Sequence, residues 1–320
     1  ASTVLNYMLT LLPPVGGVCL QAEDEIASIG ACLGASMSGL KVMTATSGPG
    51  ISLYSEQISF AVGSEIPIVI VDVRRLGPST GSATRGADGD VNFLRWGNSG
   101  GLPVIVLAPV HAADCFTLTV QAFNLAEKFR CPVFIASNKE IAMTRESVDV
   151  DAFQIPAIVN RTVPPAGKPF VPFQVNEGQT VSDFLPIGGN VPVRQTSSTH
   201  GANGYITTDQ GEIARILLRL KTKLESAVET FSFYELFTAD ESDTLIIAYG
   251  VTARAAKSVY KELKSVGKPV HLLILKTLWP VPEDVIRKAA ENVKRVVVVE
   301  MNLGQYVREI ERILGEKHVD

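Results

Sequence analysis

Three consecutive acids, Glu23, Asp24 and Glu25, lie between the apolar stretch Gly17–Leu20 and a run of apolar residues spaced three and four apart, Ile26, Ile29, Leu33 and Met37. Acids favour the positive end of a helix, which accounts for Asp24 and Glu25. Glu23 follows Leu20-Gln21-Ala22 directly, at the expected carboxyl end of a strand, where burial is expected. A buried carboxyl has a raised pKa, so Glu23 could hold a proton near neutral pH and donate a hydrogen bond to a heterocycle nitrogen. Ser47-Gly48-Pro49-Gly50 is a second candidate. Its backbone N–H groups could cradle an anion at a helix start, although an ordinary βα turn reads the same way. Arg74 and Arg75 close the apolar run Ile66–Val73 and open the stretch Leu76-Gly77-Pro78-Ser79-Thr80-Gly81, with Thr84 and Arg85 close behind. A guanidinium at a strand's carboxyl end can hold a carboxylate bidentately, and loop hydroxyls could complete the pocket. Surface arginines before a flexible loop would give the same pattern.

Other chemistries find no footing. No GxGxxG fingerprint appears, which argues against dinucleotide binding, and no GxSxG context supports a covalent hydrolase. His111, His200, His271 and His318 are far apart in sequence, and Cys19, Cys32, Cys115 and Cys131 share no metal or redox spacing. No metal site is therefore expected within this chain, and the cysteines read as small buried residues of a cytoplasmic protein. Net charge is -4 without a basic run, which excludes nucleic acid and anionic membranes as expected partners. No apolar run approaches the roughly 20 residues that span a bilayer. The chain opens on Ala1 rather than Met, so its true start is expected upstream.

The elements that must position these residues alternate. Helical spacing over Ser2–Leu12 ends at Pro13-Pro14, and a short buried strand is expected at Gly17–Leu20. A helix from Ala22, a strand at Val42–Thr46 and a helix at Ile51–Val62 follow, the last with Leu53, Tyr54, Ile58 and Ala61 inward. Beyond the strand Ile66–Val73, the polar segment Arg74–Gly89 is long enough to suggest a functional loop. Leu102–Leu107 and Pro132–Ala136 read as strands around a helix at Val110–Phe129. The pattern predicts an α/β fold with a parallel sheet covered on both faces. From Asp151 to His200 periodicity vanishes: seven of the 18 prolines fall here, with six charged residues. Phe153, Phe170, Phe173 and Phe184 need burial, so this stretch is expected to wrap a surface, its own or a partner's. An amphipathic helix follows at Ile213–Phe231. A smaller doubly wound α/β unit is then expected, with strands at Leu245–Tyr249, Val270–Leu275 and Arg295–Glu300. The expected division is 1–150, 151–240 and 241–320.

The motifs Gln21-Ala-Glu-Asp-Glu-Ile26, Thr44-Ala-Thr-Ser-Gly-Pro-Gly50, Val71-Asp-Val-Arg-Arg75 with Gly77-Pro-Ser-Thr-Gly81, and Val299-Glu-Met-Asn-Leu-Gly-Gln-Tyr306 occur in that order across nearly the whole chain. Together they resemble the alpha subunit of 2-oxoacid:ferredoxin oxidoreductases, of the 2-oxoglutarate synthase type. The resemblance implies a pyrimidine-binding domain of the thiamine diphosphate fold and a transketolase C-terminal-like domain. It implies thiamine diphosphate shared with a beta subunit that carries the diphosphate site, Mg2+ and an iron–sulfur cluster; a gamma subunit is also compatible. The implied reaction converts a 2-oxoacid and coenzyme A to acyl-CoA and CO2, with electrons passing to ferredoxin. By the same resemblance Glu23 matches the glutamate that contacts the aminopyrimidine. Arg75, with Arg74 beside it, matches the arginine that holds substrate carboxylate, and Thr84 a threonine that meets substrate. Ser47, Gly48, Pro49 and Gly50 would line the cofactor side. The sequence departs from the family pattern in three places. A substrate-facing threonine motif would fall before Ala1, Thr199–Asn203 lacks expected acids, and Trp96–Ser99 lacks a histidine. A non-catalytic assembly subunit, or half of another thiamine enzyme, are the alternatives.

Overall fold

Between Ile66 and Val73 every residue is apolar except Pro67 and Asp72, the pattern of a strand covered on both faces. That strand is central to the first of two α/β units in the computed structural model. The model describes residues 1–149, 151, 153–165, 167, 169–240, 242–315 and 317–320. The expected domain limits at 150 and 241 lie outside the described residues. The first unit runs α1 (Ser2–Leu11), α2 (Glu25–Met37), β1 (Met43–Thr46), α3 (Gly50–Leu53), α4 (Ser55–Gly63), β2 (Ile68–Arg74), α5 (Val91–Trp96), β3 (Ile105–Leu107), α6 (Ala112–Phe129), β4 (Pro132–Asn138) and α7 (Lys139–Met143). A connector leads to α8 (Gln210–Glu225). The second unit runs β5 (Tyr234–Phe237), β6 (Thr244–Tyr249), α9 (Thr252–Ser265), β7 (His271–Leu275), β8 (Thr277–Trp279), α10 (Glu283–Ala289), β9 (Arg295–Val299), α11 (Val307–Leu314) and β10 (His318–Val319).

The first sheet has the order β1-β2-β4-β3-β8, parallel except for β8, which the second unit supplies antiparallel to β3. Alternation along β2 divides its side chains between two cores. Ile68 and Ile70 pack with Ile29, Leu33, Tyr54 and Ile58 of the helices on one face, and that core runs on into Ile247, Leu273 and Leu275 of the second sheet. Val69, Val71 and Val73 pack on the other face with Leu118, Ala122 and Phe129 of α6, and with Leu224 and Phe231 beyond. The second sheet, β10-β9-β6-β7-β5, is parallel except for β5. Tyr234–Phe237, assigned to the connector by sequence, is thus an edge strand.

Two expectations need correction. Gly17–Leu20 is neither a strand nor buried: Val18 and Leu20 are 82% and 58% exposed. The expected helix at Ile51–Val62 breaks at Tyr54 into α3 and α4, which turns Leu53 outward to 47% exposure. The short helices α5 and α7 were unanticipated, because one or two turns carry too little periodicity to register.

The connector wraps the protein's own surface. Arg161 is 7% exposed, and its guanidinium donates to Glu127 at 2.9 Å and to the carbonyls of Ser36 at 2.6 Å and Leu40 at 2.7 Å. Arg130 reaches the Ser182 hydroxyl at 2.6 Å, while Phe173 and Phe184 are buried as expected. Where α8 crosses the first unit, Arg219 and Lys223 close on the fully buried Glu65 at 2.6 and 2.9 Å. Among the described residues, no helix is long and apolar enough to cross a membrane.

Candidate active site

Parallel strands place their carboxyl ends, and the loops that follow them, on one rim of the sheet, the usual location for ligands in α/β folds. Here β1 delivers Ser47–Gly50, β2 delivers Arg75 and β4 delivers Lys139. The last paired residues of β2 and β4 are Arg74 and Asn138, so Arg75 and Lys139 follow side by side.

The glycine turn is tightly enclosed. Gly48 has φ +62°, a backbone region that side chains disfavour, and a Cβ there would overlap the Arg75 guanidinium. A Cβ on Gly50 would overlap the Thr46 hydroxyl and the Glu25 carboxylate. The turn therefore lies with Arg75 against one glycine and Glu25 against the other. Arg75 is half-buried, and its Nε is buried without a hydrogen-bond partner among the described residues.

The acids sort differently from the expectation. Asp24 caps α2, its Oδ1 accepting from the Ala27 N–H at 2.7 Å, as its helix-start position suggested. Glu23 is exposed, contrary to its expected burial, because the segment before it forms no strand. Glu25 is the half-buried acid: the Thr46 hydroxyl lies 3.4 Å from its Oε1. One turn along α2, a chain of hydroxyls runs from Ser28 to Thr44 at 2.9 Å and on to Tyr54 at 2.8 Å. Burial pushes the Tyr54 hydroxyl's pKa up, and the nearby Glu25 charge adds to the rise.

Alternation along β2 also separates the two arginines. Arg74 is fully buried, donating from Nε to the Ser137 carbonyl at 2.9 Å and from Nη2 to the Ala136 carbonyl at 2.8 Å, with Asp88 Oδ1 at 3.1 Å. It ties β2 to β4 and to the loop before α5, so the substrate contact expected of it is not supported by its placement. Ser47 donates its hydroxyl to the Val73 carbonyl at 2.8 Å, and Pro49 leads into α3. Thr84 is exposed on the loop, and its hydroxyl makes no hydrogen bond among the described residues. That loop is clamped on both sides of Thr84: Lys139 Nζ donates to the Ala83 carbonyl at 2.6 Å, and the Gly86 N–H donates to Glu140 Oε1 at 2.9 Å.

Beneath the rim lies Asp72, fully buried with neither carboxylate oxygen hydrogen-bonded among the described residues. Burial pushes its pKa well up; the negative charge of Asp90 raises it further, and Arg74 opposes the rise. A lone acid inside an otherwise apolar strand was its visible signal in sequence. Glu25, Thr46 and Lys139 gave no such signal, because their roles depend on which way each side chain turns. Among the described residues no cluster of three or more His, Cys, Asp or Glu is arranged to hold a metal.

Comparison with known proteins agrees with this architecture. The family model described as pyruvate flavodoxin/ferredoxin oxidoreductase, thiamine diphosphate-binding, matches residues 1–217, and that of pyruvate:ferredoxin oxidoreductase core domain II matches residues 242–320. The 2-oxoglutarate synthase subunit KorA of Methanothermobacter marburgensis is 37% identical over 315 residues, covering 98% of this chain and 83% of that protein. The ketoisovalerate oxidoreductase subunit VorB of Methanothermobacter thermautotrophicus is 32% identical over 321 residues, covering 100% and 83%. The solved 2-oxoglutarate:ferredoxin oxidoreductase of Magnetococcus marinus, with 2-oxoglutarate, coenzyme A and succinyl-CoA bound, superposes with TM-score 0.92 at 33% identity, covering 100% of this chain and 56% of that one. The expected fold, a thiamine diphosphate-binding α/β domain followed by a smaller α/β domain, is borne out. The chain belongs to the 2-oxoacid:ferredoxin oxidoreductase family.

Proposed function

We propose that this chain is the alpha subunit of a thiamine diphosphate-dependent 2-oxoacid:ferredoxin oxidoreductase acting on 2-oxoglutarate. The product is succinyl-CoA with CO2, and ferredoxin takes the electrons. The observation that carries the reading is the glycine turn, with Glu25 packed on Gly50 and Arg75 packed on Gly48. It fits the pyrimidine half of a thiamine site: a turn bare of side chains at Gly48 and Gly50, a carboxyl on one side and a guanidinium with a free buried Nε on the other. A beta subunit would hold the diphosphate, its Mg2+ and an iron–sulfur cluster; a gamma subunit would be a further component. Use of coenzyme A and ferredoxin, both intracellular reactants, supports a cytoplasmic location for the complex.

When bound, thiamine diphosphate supplies the nucleophilic carbon and the electron sink that decarboxylation of a 2-oxoacid requires. The chain's residues would bind and orient around it. Gly48 and Gly50 let the Arg75 and Glu25 side chains pack directly against the turn. Arg75 is placed to hold the substrate's 1-carboxylate. Resemblance assigned the pyrimidine-facing carboxyl to Glu23; the placement of the side chains favours Glu25 instead, since it turns onto the glycine turn while Glu23 faces solvent. The Glu25 carboxyl would be placed to hydrogen-bond a ring nitrogen of the cofactor.

Viologen reduction by the reconstituted complex, with 2-oxoglutarate and coenzyme A, tests this. Glu25→Gln is expected to lower kcat by about 100-fold or more, and Glu23→Gln by less than about threefold. The reverse ranking would return the role to Glu23. Unchanged turnover in both variants would favour a non-catalytic subunit, and a dye that stays oxidised with every 2-oxoacid would refute the reading.

A further inference from the structure

We propose that Lys139 is a second carboxylate-binding cation of this site, and that it selects 2-oxoacids carrying a distal carboxylate. The inference rests on the function proposed above. Strand register supplies the geometry. The pairing of β2 and β4 ends at Arg74 and Asn138, so Arg75 and Lys139 emerge from neighbouring strands at the same rim. Neighbouring strands lie about 4.8 Å apart, so the two side chains leave the backbone close enough for a short dicarboxylate to be reached from both.

Charge accounting gives the second argument. Neither Arg75 nor Lys139 forms an ion pair among the described residues, although the chain as a whole is acidic. Two like charges placed side by side repel unless an anion joins them. The acids nearby do not serve that purpose. Asp88 is paired with Arg74 at 3.1 Å, and Glu140, which accepts from the Gly86 N–H at 2.9 Å, forms no ion pair with either cation among the described residues. Asp72 is fully buried, and neither it nor Asp90 forms an ion pair with Arg75 or Lys139 among the described residues. An anionic ligand with two carboxylates would join the two cations.

Lys139 is also held ready. Its Nζ donates one hydrogen bond, to the Ala83 carbonyl at 2.6 Å, and an ammonium has three donors. Two remain for a ligand beside the loop that carries Thr84. A monocarboxylic 2-oxoacid would engage Arg75 alone and leave Lys139 uncompensated. The distal carboxylate of 2-oxoglutarate would engage it.

The test uses the reconstituted complex with two substrates, 2-oxoglutarate and 2-oxobutanoate. Lys139→Ala is expected to raise the KM for 2-oxoglutarate about 10- to 100-fold while kcat/KM for 2-oxobutanoate stays within about threefold. Lys139→Arg should recover most of the loss. An equal fall for both substrates would mean that Lys139 only clamps the loop, and no change would remove it from the site; either overturns the proposal. Thermal unfolding of the same complex supplies a readout independent of turnover. Glutarate should raise the Tm of the wild type more than butyrate does, and Lys139→Ala should abolish that difference. Equal effects of glutarate and butyrate on the wild type would refute the proposal. A wild type that discriminates glutarate through Lys139 yet oxidises no 2-oxoacid would leave Lys139 as a dicarboxylate ligand and refute the parent reading instead.

Discussion

Arg75 concentrates the chemistry of this chain at the residue scale, because it combines a buried, unpartnered Nε with direct packing on a glycine that tolerates no side chain. If its guanidinium receives the substrate's 1-carboxylate, Arg75→Ala should raise the KM for 2-oxoglutarate by about 10- to 100-fold. An unchanged KM in steady-state assays would exclude it from the site. Arg75 was readable from sequence because its position just beyond an apolar strand fixes it on the ligand-bearing rim. What sequence could not fix was phase. One residue along a strand reverses the face, which sends Arg74 into the interior while Arg75 stays at the rim. Glu23 precedes the Asp24 cap and lies outside the helix, whereas Glu25 is the helix's first residue, and that boundary separates the exposed acid from the half-buried one. Neither difference leaves a trace in residue type.

At the scale of elements, helices and strands came through best where many residues repeat one pattern, as in β2 and α6. The strands that pair far along the sequence did not. Nothing local to Thr277–Trp279 says that it joins the first sheet, nor does Tyr234–Phe237 announce an edge of the second. The docking of α8 likewise depends on a distant partner. Glu65 sits just before β2 and is fully buried. Burial alone would raise its pKa, but Lys223 and Arg219 outweigh that effect and hold the carboxyl well below the usual range. A depressed carboxyl stabilises the fold fully above its unfolded-state pKa of about 4.3, and the contribution declines as pH falls below that value toward the folded-state pKa. Glu65→Gln would leave two cations without their acid, and is expected to cost about 3–5 kcal/mol by chemical denaturation at pH 7. Its destabilisation should shrink on acidification below about pH 4. A loss under about 1 kcal/mol, or one independent of pH, would show that α8 is held by apolar contacts alone.

The whole molecule presents its candidate site at a surface. The segment before α2 exposes Val18 and Leu20, and Ile26 and Leu53 are 55% and 47% exposed nearby in the chain. Apolar residues and a half-enclosed glycine turn in this arrangement suit a site completed by another subunit. Thiamine diphosphate should accordingly bind the isolated chain at least about tenfold more weakly than the reconstituted complex, a difference of about 1.4 kcal/mol by calorimetry. Equal affinity would mean that this chain holds the whole cofactor.

The loan of β8 bears on how such proteins can be rearranged. The two family models part between residues 217 and 242, which invites division of the gene there. A product ending at that seam would lack Thr277–Trp279, leaving the free edge of β3 open to pairing with other chains, and Ile68 and Ile70 would lose the apolar neighbours that the second sheet provides. The seam divides two sequence models, but the fold does not divide there. Fusion, permutation or exchange of modules in this scaffold should keep β8 with the sheet it completes.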